Sequence, residues 1–269
     1  PEEALAALER LAAGGILAAR ALAREFPGPL RKRVGAAAHL AEDPFEHGPL
    51  IGAMARLGTT ARPVLLALAA DPSRWERRLF ALYLLARIPS PQSLPLLLEA
   101  LSDEEPRVAA MAREALKAHR DVPGFAAALS DLRAELGRRD ALLRLGDVIR
   151  TVGQLRDVES IPRLIELLDH RERDIVREAE QALVDITKQS FGSSQRRWRK
   201  WWEAHREEPR FAWLIEGLEH KHRHVRFSAA VELERMTGET FGYYFDAPKA
   251  ERDAAVARWR AWWAEARKV

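Results

Sequence analysis

IPRLIELLDHRERDIVREAEQALVDITKQSFG occupies residues 161–192, and FAWLIEGLEHKHRHVRFSAAVELERMTGETFG occupies residues 211–242. The two stretches align at an offset of fifty residues without a gap, and they share Leu164/Leu214, Ile165/Ile215, Glu166/Glu216, Leu168/Leu218, His170/His220, Ala179/Ala229, Leu183/Leu233, Thr187/Thr237, Phe191/Phe241 and Gly192/Gly242. Self-similarity at this period predicts a repeat architecture, in which each unit buries its apolar face against its neighbour.

Within each copy the apolar residues have helical spacing. Ile161, Leu164, Ile165 and Leu168 fall at i, i+3, i+4 and i+7, as do Phe211, Leu214, Ile215 and Leu218. A polar turn follows, DHRER at 169–173 and EHKHR at 219–223, and then a second helix with Ile175-Ala179-Leu183 or Val225-Ala229-Leu233 inward. The central alanine lets two helices approach closely. The same pattern lies upstream, with Leu94, Leu97, Leu98 and Leu101, the turn SDEEP at 102–106, and Val108-Ala112-Leu116.

A leucine-rich first helix, a short turn and an alanine-pivoted second helix resemble HEAT repeats. The segments that carry the likeness are SLPLLLEALSDEEPRVAAMAREAL (93–116), SIPRLIELLDHRERDIVREAEQAL (160–183) and RFAWLIEGLEHKHRHVRFSAAVEL (210–233). The chain is similar to bacterial HEAT-repeat proteins, including those with HEAT-like repeats of the phycobilin-lyase type. The resemblance implies an all-α fold, an α-solenoid or α-α superhelix, and says little about activity because one such fold serves many functions.

Working outward gives a single α-solenoid over 1–269. It comprises degenerate helical repeats over 1–90, a HEAT-like repeat over 91–120 and an irregular helical pair over 122–153 that breaks near Gly137. A HEAT-like repeat with an added helix follows over 158–207, and another, with a C-terminal cap helix, over 209–269. In the first third, helices are predicted near 2–13, 15–26, 29–41, 48–57, 61–70 and 73–88, punctuated by glycine and proline.

The added helices are SSQRRWRKWWEAH (193–205) and ERDAAVARWRAWWAEARK (251–268), where Trp198, Trp201 and Trp202 correspond to Trp259, Trp262 and Trp263. Residues three and four apart share a helix face, so each trio forms an aromatic ridge. Such a ridge could stack a ligand, but its recurrence in an interior repeat favours sealing the module. Ser193 or Ser194 is expected to cap the first of these helices, and Asp246 with Pro248 to start the second. Trp213, on a first helix, is expected to be partly exposed.

Arg196, Arg197, Arg199 and Lys200 form a basic run, and Lys221, Arg223 and Arg226 another. Stacked in register, these seven residues are a candidate binding patch for phosphate or an acidic protein surface. His220, His222 and His224 do not amount to a metal site, since a zinc site needs three or four converging ligands. No metal, cofactor or catalytic residue is assigned. Glycine-rich phosphate loops, GxSxG and HExxH are absent. Residues 71–87 have a distant similarity to HEAT-like alkylpurine DNA glycosylases, but the closely spaced His, Trp and two Asp of that family's catalytic stretch are missing. Glu99, Glu166 and Glu216 recur once per unit, a placement that suits a structural or surface role better than a catalytic pair.

The chain has 269 residues, 47% hydrophobic and 31% charged, and its 43 basic residues nearly balance 40 acidic ones. It contains no cysteine, which excludes disulfides and thiolate chemistry. No apolar run is long enough to span a membrane, and a cytoplasmic location is expected. The start at Pro1 suggests that upstream sequence has been removed, so the chain is expected to be part of a larger protein or assembly. The reading is a non-enzymatic protein-interaction scaffold that uses a concave surface lined by second helices, with nucleic-acid binding through the basic runs as the alternative.

Overall fold

A computed structural model describes residues 13–31, 42–138 and 142–267, without the side chains of residues 142 and 143. Among the described residues all regular structure is helical. The expected helix at 2–13, except for residue 13, and most of that at 29–41 lie outside the described residues. The chain divides into two compact units, residues 1–132 and 133–269.

In the first unit α1 (Gly15–Glu25), α2 (Pro44–His47) and α3 (Pro49–Arg56) precede two helical pairs. These are α4 (Arg62–Ala69) with α5 (Trp75–Leu85) and α6 (Leu94–Ala100) with α7 (Pro106–Ala118). Residues 78–85 of α5 are buried without a break, so this helix is covered on every side. Its one buried charge, Arg78, donates from Nε and Nη2 to the two carboxylate oxygens of Asp103 at 2.7 and 2.9 Å. Arg78 Nη1 donates to the carbonyls of Asp71 and Pro72, so the guanidinium also ties down the turn before its own helix. In α7 the predicted inner face, Val108, Ala112 and Leu116, is buried.

Helix α8 (Phe125–Glu135) crosses the boundary between the units, and the predicted break near Gly137 follows it. The second unit continues with α9 (Leu142–Leu155), the pair α10 (Ile161–Leu167) and α11 (Arg173–Thr187), and the added α12 (Gln195–His205). The pair α13 (Arg210–Gly217) and α14 (Arg223–Thr237) comes next, and then α15 (Lys249–Ala266). Pro162 is tolerated in the first turn of α10, where its missing N–H has no helical partner to lose. The apolar stripes of α10 and α13 and the alanine-pivoted faces of α11 and α14 are all buried, as their spacing predicts.

Helix α9 lies against α11 at a contact only glycine permits. A Cβ on Gly153 would stand 2.8 Å from the Cα and Cβ of Ala182. The two second helices end alike, in a left-handed residue. Lys188 has φ 56° after α11, and Gly238 has φ 75° after α14. Glycine takes that conformation without steric cost, whereas a side chain is disfavoured there.

Candidate interaction surface

The residues shared by the two copies have the same local tasks in each. The Nδ1 atom of His170 accepts the Glu172 N–H at 3.1 Å, and that of His220 accepts the His222 N–H at the same distance. Each ring therefore braces the turn before its second helix. Thr187 and Thr237 donate to Leu183 and Leu233 while accepting the N–H groups of Gln189 and Glu239, which closes the far end of the same helices. Burial holds the His220 pKa below the ordinary histidine value, and the charges of Lys221, His222 and His224 push it the same way.

The tryptophan ridges pack inward. Phe191 meets Trp198 edge-to-face at 4.9 Å, and Phe241 meets Trp259 in the same way at 4.7 Å. Trp198 Nε1 donates to the Gly192 carbonyl at 2.8 Å, which satisfies the polar end of a fully buried ring. Gly192 and Gly242 both have positive φ, so the repeated Phe-Gly supplies a ring and a left-handed turn. Trp213 is buried, contrary to the expectation of partial exposure, because it packs edge-on against Trp201 and Trp202. Its Nε1 donates to the His205 carbonyl. The predicted caps are only partly realised. Ser194 is the N-cap of α12 but makes no side-chain cap bond, and Asp246 binds Arg223 at 3.1 Å instead of capping α15.

The repeated glutamates diverge. Glu99 is exposed, and Glu166 pairs with Arg163. Glu216 accepts from Trp201 Nε1 at 3.4 Å and lies 3.8 Å from His205, and burial raises its pKa.

The candidate basic residues separate into two groups. Arg196, Arg197, Arg199 and Lys200 are exposed on α12 and form no ion pair with any described residue. Lys221 and Arg223 are exposed in and after the α13–α14 turn, where Arg223 holds Asp246. Arg226 is buried, and its guanidinium donates to the carbonyls of Phe245, His220 and Lys221, so its charge closes loops rather than facing a ligand. His220, His222 and His224 form a row of rings 5.2 and 5.6 Å apart. No group of residues suited to a metal occurs among the described residues.

Two features were not predicted from the sequence. Glu232, buried on α14, lies 2.8 Å from Arg156 Nη1, 2.5 Å from Arg210 Nη1 and 3.9 Å from Lys188 Nζ. Burial lowers the Lys188 pKa against the opposing pull of Glu232. The available signal was Glu232 itself, a charge where the first copy has Ala182 on the inward face. The second feature is a pair of exposed apolar residues on α14, Phe227 (49% exposed) and Val231 (46%), where the first copy carries Arg177 and Gln181.

Comparison with known proteins agrees with this architecture. A model of HEAT repeats matches residues 62–146, and a model of the PBS lyase HEAT-like repeat matches residues 145–170. The first match includes α4 and α5, within the stretch predicted to be degenerate. No curated relative matches the chain. Two crystal structures of engineered proteins are similar at 17% and 19% identity, each over 86% of this chain and 96% and 99% of theirs, with TM-scores of 0.36 and 0.34. The repeated helical pairs and alanine-pivoted second helices accompany these two family matches, which give the chain HEAT-type repeats over residues 62–170.

Proposed function

We propose that the protein is a non-enzymatic scaffold whose array of helical pairs binds another protein. HEAT repeats usually form scaffolds for protein interactions. The observation that carries the reading is that the recurring side chains able to do chemistry already have structural work. His170 and His220 brace turns, and Trp198 satisfies the carbonyl of Gly192. Differences between the copies at exposed positions of the second helices, such as Arg177/Phe227 and Gln181/Val231, fall on the surface a partner would read. One continuous solenoid over 1–269, with those helices lining a concave face, belongs to this proposal. Affinity capture from native cell extract tests it, with a defined protein expected to remain bound after nuclease treatment. Recovery that depends wholly on intact nucleic acid would overturn it.

A second reading has its own support. Arg196, Arg197, Arg199 and Lys200 project from α12 without a neutralising partner among the described residues. Exposed cations of this kind attract phosphates in a salt-dependent way. Titration with duplex and single-stranded DNA and RNA at low salt tests this reading. Binding that weakens steeply with salt and disappears when all four become alanine supports it, and a flat titration removes it.

A further inference from the structure

The outward stripe of α14 departs from its internal copy in a consistent direction. In α11 the stripe is polar and internally paired. Arg177 binds Asp174 at 3.0 Å, and Gln181 donates to Asp185 at 3.1 Å. In α14 these four positions hold Phe227, His224, Val231 and Arg235. Two polar side chains have become apolar, one acid has become a histidine and the other an arginine. The inward faces meanwhile keep Ala179/Ala229 and Leu183/Leu233. Nothing in the core required the change, because residues 177, 181, 227 and 231 are all exposed.

A single exposed apolar residue is ordinary. Phe227 and Val231, however, lie side by side at i and i+4, and Phe227 continues into Phe245 through an edge-to-face contact at 4.9 Å. That makes a patch, and exposed apolar patches with polar rims mark interaction sites. Two cations flank it. Lys221 precedes the helix and Arg235 follows Val231 by one turn, and neither has an ion pair with a described residue. Glu234 lies on the edge of the stripe, and Asp246 is engaged by Arg223.

Resting on the scaffold reading, we infer that this stripe docks an acidic, amphipathic segment of a partner protein carrying a bulky apolar anchor. Phe227 and Val231 receive the anchor, while Lys221 and Arg235 face its carboxylates. Nucleic acid is the poorer fit. Stacking needs free ring faces, but Arg223 already lies over the Phe245 ring at 5.0 Å.

The test is selection of a displayed random-peptide library on the parent chain and on Phe227→Arg/Val231→Gln, which restores residues the other copy already carries. The expected peptides are rich in Asp and Glu around a large apolar residue, weaken with salt, and bind the double variant about tenfold or more less tightly. Arg235→Asp is a second variant that leaves the apolar pair intact, and it should also weaken them. Enrichment that both variants leave unchanged, peptides without acidic bias, or no enrichment at all overturns the inference. It is likewise overturned if a single-stranded oligonucleotide or, by sedimentation, a second copy of the chain occupies the stripe. Cross-linked capture from native extract separates this failure from that of the scaffold reading. A protein held equally by parent and double variant sinks the stripe alone, whereas no protein held by either sinks both.

Discussion

The Lys188 ammonium stands 3.9 Å from the Glu232 carboxylate, with both side chains almost wholly removed from solvent. Arg156 and Arg210 complete a cluster of three cations around this carboxylate. Removing the acid leaves like charges facing one another in a low-dielectric setting, so Glu232→Ala should cost about 3–5 kcal/mol. Lys188→Met removes a poorly compensated charge and should leave stability unchanged or raise it. Urea denaturation followed by circular dichroism distinguishes these outcomes, and equal losses in both variants would refute this account of the cluster.

His220 gives the fold a pH dependence of definite sign. Its Nδ1 must be unprotonated to accept the His222 N–H, and its pKa in the folded chain lies below the ordinary value of 6.5. The unfolded chain therefore takes up its proton first as the pH falls. The stabilisation is complete above the unfolded value and is lost as the pH drops from there through the lowered folded value. Buried His119, shifted in the same direction by desolvation, adds to the effect. Thermal melts between neutral and mildly acidic pH should show the decline. His220→Asn keeps a short turn acceptor, so it should reduce the slope while preserving the fold at neutral pH. An unchanged slope would show that His220 does not contribute.

Arg78 is held by geometry as much as by charge. Its guanidinium serves both oxygens of Asp103 and two carbonyls of its own turn. A lysine ammonium has three donors at one point and cannot reproduce the fork. Arg78→Lys should lower the melting temperature although the charge is conserved, and Arg78→Ala should lower it further, by about 3–5 kcal/mol of stability. A lysine variant as stable as the parent would show that charge alone suffices.

On α12, adjacent residues should behave in opposite ways. Trp198 is fully buried and hydrogen-bonded, so Trp198→Ala should cost about 3–5 kcal/mol. Arg199 is exposed, and Arg199→Ala should stay within about 0.5 kcal/mol. Comparable losses in the two denaturation curves would contradict the inward packing of the ridge.

The core was legible in the sequence because burial on a helix imposes a period. Val225, Ala229 and Leu233 announce the inner face of α14 before any coordinate is known. The duplicated histidines and tryptophans could be read as structural for a related reason, since recurrence in an interior module argues against a dedicated site. Side-chain reach at the seams was not legible. Trp213 was predicted to be partly exposed, yet Trp201 and Trp202 cover it from a helix whose docking no local pattern encodes. Arg226 looked like a surface cation because sequence records its charge but not the three carbonyls it faces. The α14 stripe could have been found by attending to where the two copies disagree at outward positions.

The contact between Gly153 and Ala182 leaves no room for a side chain, while the corresponding inward position of the next copy holds Glu232 among its cations. Glutamate in place of Ala182 would drive a carboxylate into the backbone of α9, and alanine in place of Glu232 would take the carboxylate away from buried Lys188 and two part-buried guanidinium groups. Two modules that look interchangeable by their leucines are thus keyed to different neighbours. Their order along the chain is written into the joints between them, and transposing them would leave each helix able to form but unable to find its seat.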